Sequence, residues 1–196
     1  GQYCGNRDKG LVLDGIAIRL TGANKAKYSI RYLVGESQAA DGAFCGTRNQ
    51  NLPLRRIRVV LSGPNLALGK PTLQSSTYGT AESSRAVDGN TDGNFGAWSV
   101  THTNLEYQPY WQVDLQTTQW ISRVQIFNRT DGSAERLNNF SVMVSTDGNT
   151  WKTFPYIAPV GQQILVSIGT VARYVRVRLN GSNYLSLAEV QVFGGN

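Results

Sequence analysis

Apolar and polar residues alternate one for one through segment after segment of this sequence. In Tyr174-Val175-Arg176-Val177-Arg178-Leu179 the aliphatic side chains fall on every second position. Trp111-Gln112-Val113-Asp114-Leu115, Ile121 to Phe127, Phe140 to Val144 and Ala188 to Phe193 are further segments of this kind. Successive side chains of a strand point to opposite faces, so a period of two belongs to sheets with one buried face. No window of helical periodicity competes. Turn residues fill the gaps, and Asp147-Gly148-Asn149-Thr150 reads as a hairpin turn before Trp151. The expected fold is all-β, with a two-sheet antiparallel β-sandwich in the C-terminal part. At 196 residues and 40% hydrophobic content the chain can bury cores of real size. Trp98, Trp111, Trp120 and Trp151 are expected in the core, and Trp98 lies in the loop leading to the only histidine.

The first 63 residues follow another rule. Gly1-Gln2-Tyr3-Cys4-Gly5-Asn6-Arg7 matches Gly42-Ala43-Phe44-Cys45-Gly46-Thr47-Arg48, and the register continues through Leu11/Leu52, Leu13/Leu54, Ile16/Ile57, Leu20/Leu61 and Gly22/Gly63, a period of 41 residues. Each copy alternates as a strand does, and Tyr28 to Val34 supplies another strand between them. A small β domain of two related units is expected over 1–63, followed at Ser62-Gly63-Pro64-Asn65 by a second domain over 64–196. The repeat vaguely resembles the clostridial hydrophobic repeats of bacterial surface proteins, without the Gly-Trp pair that names them. Cys4 and Cys45 occupy equivalent places, so they form either a disulfide across a pseudo-dyad or two buried free thiols. The chain begins inside a repeat unit, as an excised or processed piece of a longer protein would.

Several functional classes find no support. The net charge of +6 is dispersed over Arg55-Arg56, Arg58, Arg123, Arg173, Arg176 and Arg178, as on a solvated β surface rather than a nucleic-acid patch. No apolar run is long enough to span a membrane. The two cysteines lack zinc-site spacing, and the glycine-rich turns lack the strand-to-helix context of a nucleotide site. No nucleophile partners the sole histidine, and no carboxylate pair is spaced for glycoside hydrolysis. A non-enzymatic protein is expected.

What remains is a spacing pattern: His102, twenty-six intervening residues, Arg129-Thr130-Asp131, four more, and Arg136. With the entry segment Asn65-Leu66-Ala67-Leu68-Gly69-Lys70-Pro71-Thr72, it resembles the F-type lectins, or fucolectins, a branch of the discoidin-like β-sandwiches. The resemblance covers about residues 64–196. It implies that His102, Arg129 and Arg136 bind L-fucose through the axial 4-hydroxyl, the 3-hydroxyl and the ring oxygen. Phe95 matches the aromatic wall of the family's methyl pocket, with Leu73 and Tyr78 as further candidates, and Asp131 is read as an orienting partner for an arginine. The chemistry is reasonable in itself, because a guanidinium fork presents parallel donors to sugar oxygens. The chain departs from the family at Gly132-Ser133, where adjacent cysteines often form a disulfide that packs against the sugar.

The same resemblance implies a structural calcium ion. Asp88-Gly89-Asn90-Thr91-Asp92 is a tight acidic turn of the kind that offers hard oxygen ligands. The implied ligands are the Arg85 and Asn90 carbonyls, the Asp88 carboxylate, Ser99 and the Glu189 carboxylate. An Asx turn without an ion is the alternative. The expected protein is therefore a secreted or cell-surface lectin for fucosylated glycans, with the N-terminal domain a candidate for homo-oligomer assembly. Two other readings stand beside it: a carbohydrate-binding module of a larger surface enzyme, and a discoidin-like adhesion module for protein or anionic lipid. The sequons at Asn128, Asn139 and Asn180 are read as chance matches.

Overall fold

The computed structural model describes residues 63–194 together with the backbone of five strands before them. The chain divides into two compact units, Gly1–Pro64 and Asn65–Asn196. In the first, β1 (Gly15–Ala17) pairs with β4 (Phe44–Gly46), while β2 (Ser29–Val34) lies between β3 (Ser37–Ala40) and β5 (Ile57–Ser62). All these pairs are antiparallel. Cys4 and most positions that carry the repeat lie outside the described residues, so the two fates of the cysteines remain as stated.

The second unit holds β6 (Thr72–Gln74), β7 (Glu106–Tyr107), β8 (Tyr110–Asn128), β9 (Phe140–Ser145), β10 (Lys152–Tyr156), β11 (Gln163–Leu179), β12 (Ser182–Asn183) and β13 (Leu187–Phe193). Among the described residues the only helical turns are short 3-10 turns. The hydrogen-bonded order is β10-β9-β11-β8-β13, with β6 also on β8. The two long strands make this one ladder into two layers. Near one end, Tyr110–Asp114 and Tyr174–Arg178 pair with each other between β6 and β9; further along, Arg123–Phe127 and Gln163–Ser167 pair beside β13. The register breaks between Ser167 and Thr170, where Gly169 has φ +65°, and again between Ala172 and Tyr174. Such bulges bend and twist a ribbon, allowing it to pass from one sheet to the other.

Both halves of the ribbon line one core. Trp111, Val113 and Leu115 from the first half of β8 cluster with Val124 and Ile126 from the second, and with Val175, Val177, Ile164 and Val166 of β11. Full burial of each such Val, Ile or Leu stabilises by roughly 1.5–3 kcal/mol, which is why the alternation is kept so strictly. The expected all-β sandwich is therefore the observed fold, but Trp111–Leu115 and Ile121–Phe127 are one strand. The polar Gln116-Thr117-Thr118 between them reads as a turn, yet it is the exposed outer edge of the bend.

The tryptophan expectation needs correction. Trp111 is fully buried and donates its indole N–H to the Ser83 carbonyl at 2.9 Å, but Trp98 and Trp120 are exposed. Trp151 is half-buried on the outer face, with the Arg176 guanidinium 4.1 Å above its ring and Tyr110 on the same guanidinium at 4.3 Å. Only the tryptophan on the inward phase of a strand reaches the core. The hairpin at Asp147 forms as expected: its carboxylate accepts from the Asn149 and Thr150 amides and the Ser145 hydroxyl, which lowers its pKa to about 2.

Candidate functional site

Three segments meet where β8 ends and β13 begins. The β6–β7 connection brings Tyr78, Phe95 and His102; the β8–β9 connection brings Arg129, Asp131 and Arg136; the residues between β12 and β13 bring Tyr184.

His102 is fixed through its backbone. Its N–H donates to the Ala81 carbonyl at 3.2 Å and its carbonyl accepts from the Tyr78 amide at 2.8 Å. Its neighbours Thr101 and Thr103 bond Leu187 and Leu185 through both backbone and hydroxyl, tying this segment to β13 and its approach. The side chain is 5% exposed. Nδ1 lies 2.7 Å from the Thr103 carbonyl, which can only accept, so Nδ1 carries the proton and Nε2 presents a lone pair. That lone pair faces Nη1 of Arg136 at 3.3 Å. Burial, aided by the charges of Arg129 and Arg136, holds the imidazole pKa below its ordinary value and keeps the ring neutral. Tyr78, Phe95 and Tyr184 surround the ring at 5.0, 5.3 and 5.3 Å.

The two arginines are held differently. Arg129 gives Nε and Nη2 to the Asp131 carboxylate at 2.5 and 3.2 Å and lies 4.6 Å over the Phe95 ring. Asp131 also accepts from the Phe95 amide at 3.2 Å, so one carboxylate joins both loops; the Arg129 fork keeps its pKa below the usual range. A guanidinium has five N–H donors, and those that Asp131 leaves unused can meet a ligand. Arg136 rides on the 3-10 turn Ala134–Leu137, anchored by the buried Leu137, and lies 4.9 Å over Tyr184. Among the described residues Arg136 has no carboxylate ion pair.

Of the residues named from sequence, His102, Arg129, Arg136, Asp131, Phe95 and Tyr78 are brought together. Leu73 is not. It lies in a separate groove with Pro71, Gln112, Asp114 and Tyr174, because strand alternation points it away from Gln74, whose amide reaches the Ala81 and His102 carbonyls. Tyr184 escaped the sequence reading: a lone aromatic after a turn carries no periodicity to single it out. Gly132 has φ +94°, and with Ser133 it forms the turn into the Arg136 segment. Asn128 is buried with its amide bonded at both ends, to the Ala134 carbonyl and the Arg129 amide, so its sequon offers no free side chain.

Behind this cluster lies the acidic turn. Asp88, Asn90, Asp92 and Asn94 each accept from the amide two residues on, at 2.7 to 3.0 Å, a run of four Asx turns. Glu189 of β13 is fully buried against it. Its carboxylate has only long contacts, with the Gly89 amide at 3.4 Å and the Asn65 amide at 3.5 Å. Burial, with the Asp88 charge adding, pushes its pKa up to about 8. A fully buried carboxylate with an exposed second carboxylate near enough to raise its pKa is an arrangement that a hard cation relieves. Ser99, also buried, bonds the Asp92 and Asn94 carbonyls. Among the described residues no cluster of three or more His, Cys, Asp or Glu could hold a metal, so an ion here would depend on loop carbonyls to complete its shell.

The arrangement is one acceptor, two cationic forks and aromatic walls at the end of a β-sandwich, which is how a polyol edge can be held without any group poised for bond breaking. Fold and site thus define a sugar-binding β-sandwich, and residues 85–177 match the family described as NedA-like, galactose-binding domain. The fucolectin of Anguilla anguilla is 31% identical over 136 residues, covering 63% of this chain and 86% of that protein. A solved fucose binding module of Streptococcus pneumoniae is 39% identical with a TM-score of 0.65, covering 67% of this chain and 95% of that one. The lectin domain of lectinolysin, solved with Lewis B antigen, is 41% identical with a TM-score of 0.65, covering 67% and 97%. The chain belongs to the fucolectin, or F-type lectin, family. Its members here are lectins and binding modules, and this domain is likewise not an enzyme.

Proposed function

We propose that residues 65–196 form a lectin domain that binds terminal L-fucose on glycans, with His102, Arg129 and Arg136 as its polar ligands. The observation that carries this reading is the neutral His102 lone pair set beside Arg136 within one aromatic-walled cluster. The axial 4-hydroxyl donates to Nε2 and accepts from a guanidinium, while the 3-hydroxyl and ring oxygen accept from the remaining N–H groups. An equatorial 4-hydroxyl would leave these donors desolvated and unpaired, at a cost of about 1–3 kcal/mol. The fucose methyl packs on Phe95, burial that contributes roughly 0.8 kcal/mol. The names of the relatives, fucolectin and fucose binding module, support the same sugar. A glycan array probed with wild type and Arg129→Ala tests it: fucosylated glycans should dominate the wild-type signal and fade in the variant. Equal signals from both proteins, or a preference for non-fucosylated glycans, would overturn it.

The buried Glu189 carboxylate beside Asp88 fits a calcium ion held by these two carboxylates, the Arg85 and Asn90 carbonyls and Ser99. Such an ion would neutralise the buried Glu189 carboxylate and the Asp88 charge near it. The protein's own share is the 88–99 loop, which links Glu189 of the last strand to Phe95 and His102. Because the ligand is displayed on cell surfaces and secretions, the domain acts outside the cell. The N-terminal unit joins copies of the chain, multiplying weak single sites through avidity; a strictly monomeric protein in sedimentation would remove that role.

A further inference from the structure

Val175 and Val177 of β11 are fully buried in the core, so Arg176 and Arg178, which alternate with them, stand on the outer face of the sheet. Arginines on such a face are expected to be solvated, yet both are half-buried. Arg176 is held in place. Its guanidinium packs on the rings of Trp151 and Tyr110 at 4.1 and 4.3 Å, and its Nε and Nη2 both donate to Oε1 of Gln112, at 3.1 and 2.7 Å. Arg178, roughly 7 Å further along the same face, has no such support. Among the described residues it makes no hydrogen bond and no ion pair, and its Nε is buried without a partner.

The carboxylates of the adjoining strands and turns are committed elsewhere. Asp114 takes Nε and Nη2 of Arg173 at 2.7 Å each, Asp147 closes the hairpin after β9, and Glu106 accepts from the Ser75 and Ser76 hydroxyls. Gln112 spends its oxygen on Arg176, and its Nε2 bonds nothing among the described residues. What the face offers is therefore a set of donors with two positive charges and no counter-charge. Burial lowers the Arg176 pKa and the Arg178 charge lowers it further, a conflict that a bound anion would offset. Because Arg176 is already ordered by its rings and by Gln112, it loses little freedom on binding.

The neighbouring groove decides what carries the anion. Leu73, Gln112 and Arg176 are in register across β6, β8 and β11, and Gln112 is one wall of an open groove of about 230 Å³ with Thr72, Leu73, Asp114 and Tyr174. That is less than the roughly 300–1,000 Å³ of drug-sized sites, and it suits a single sugar ring. Leu73, 45% exposed, gives the groove an apolar floor, while Thr72, Gln112 and Asp114 give it a polar edge. A second copy of the chain fits poorly, because two such faces would bring like charges together. So does a lipid surface, because Trp151 and Tyr110 lie against the guanidinium instead of projecting from it. We infer that this outer face is a second binding site, for an acidic saccharide whose carboxylate or sulfate meets Arg176, Arg178 and Nε2 of Gln112 while its ring lies beside Leu73. It is built on β6, β8 and β11, none of which carries His102, Arg129 or Arg136, and it does not depend on the fucose reading.

The test is titration calorimetry at low salt with two acidic oligosaccharides, one bearing uronate carboxylates and one bearing sulfates, and with a neutral oligosaccharide of the same length. Wild type should bind at least one of the acidic pair and not the neutral one, and saturating methyl α-L-fucoside should not displace it. Arg178→Gln removes no bond of the fold. It should weaken acidic binding about ten- to a hundredfold, the loss of one charge-assisted bond, and leave methyl fucoside affinity as in wild type. No binding of either acid, equal binding of the neutral saccharide, or acidic binding that survives Arg178→Gln overturns the site. Displacement by methyl fucoside would put the acid on Arg129 and Arg136 instead, which also overturns it. Equal binding of a glutamate-rich peptide or of phosphatidylserine vesicles would make the face a general binder of negative charge and overturn the saccharide.

Discussion

Nη1 of Arg136 lies 3.3 Å from Nε2 of His102, whose other nitrogen is committed to the Thr103 carbonyl. The imidazole is therefore a hydrogen-bond acceptor between two cations, and protonation would convert it into a third cation without a lone pair.

A pH dependence follows from this. Burial and the neighbouring arginines hold the His102 pKa below 6.5, so the folded protein resists a proton that the unfolded chain accepts. Fucose affinity should stay level from pH 8 to about neutrality and fall in acid, below the ordinary imidazole range. The stability this group contributes is present above that range and lost as pH drops through the folded value. Calorimetric affinity against pH, with His102→Gln as control, checks it; an affinity that rises on acidification would contradict the neutral acceptor.

Asp131 grips Arg129 through Nε and Nη2 and holds the Phe95 amide as well. Arg129→Lys keeps the charge but loses the fork, and should weaken fucose binding about ten- to a hundredfold, the worth of a charge-assisted bond. Asp131→Asn should cost less, because it loosens the arginine without removing it. If Arg129→Lys bound fucose as wild type does, the guanidinium geometry would be irrelevant.

The sequence made much of this legible, for reasons that differ from residue to residue. Strict alternation exposed the sandwich, and the spacing of His102, Arg129, Asp131 and Arg136 identified side chains that three-dimensional packing then gathers. Alternation could not show that Gln116-Thr117-Thr118 continues a strand, because a bend exposes its outer edge and polar residues there look like a turn. Nor could it place Leu73, whose side depends on the phase of β6, or Tyr184, which meets His102 and Arg136 only through tertiary contact.

Glu189 carries the calcium prediction. Its folded pKa near 8 against an ordinary 4.5 means that, without metal, the folded state holds a proton the unfolded chain has released, so stability falls as pH rises between those values. His102 works in the opposite sense only in acid, which makes pH 6.5 to 8 the clean window. Chelated protein should melt lower at pH 8 than at 6.5, and calcium should raise the melting temperature most at pH 8. Glu189→Gln should flatten the chelated slope and abolish the calcium gain. A melting temperature indifferent to calcium in wild type would remove the ion from the proposal.

Gly93 joins the acidic loop to the arginine loop. Its carbonyl accepts from the Thr130 amide at 2.8 Å, and a Cβ there would stand 2.6 Å from the Asn128 carbonyl oxygen and 2.7 Å from the Thr130 methyl. The first obstacle is backbone, so relief requires the loops to part. Gly93→Ala should therefore destabilise by about 1–3 kcal/mol, the usual cost of overpacking. It should also weaken fucose binding, since parting the loops pulls Phe95 from Asp131 and moves the wall against which Arg129 lies. Gly96→Ala is the control: its Cβ would meet only the Asn94 side chain, at 3.3 Å. Chemical denaturation and calorimetry on both variants separate the effects, and wild-type affinity in Gly93→Ala would show that the two loops need not touch for the site to form.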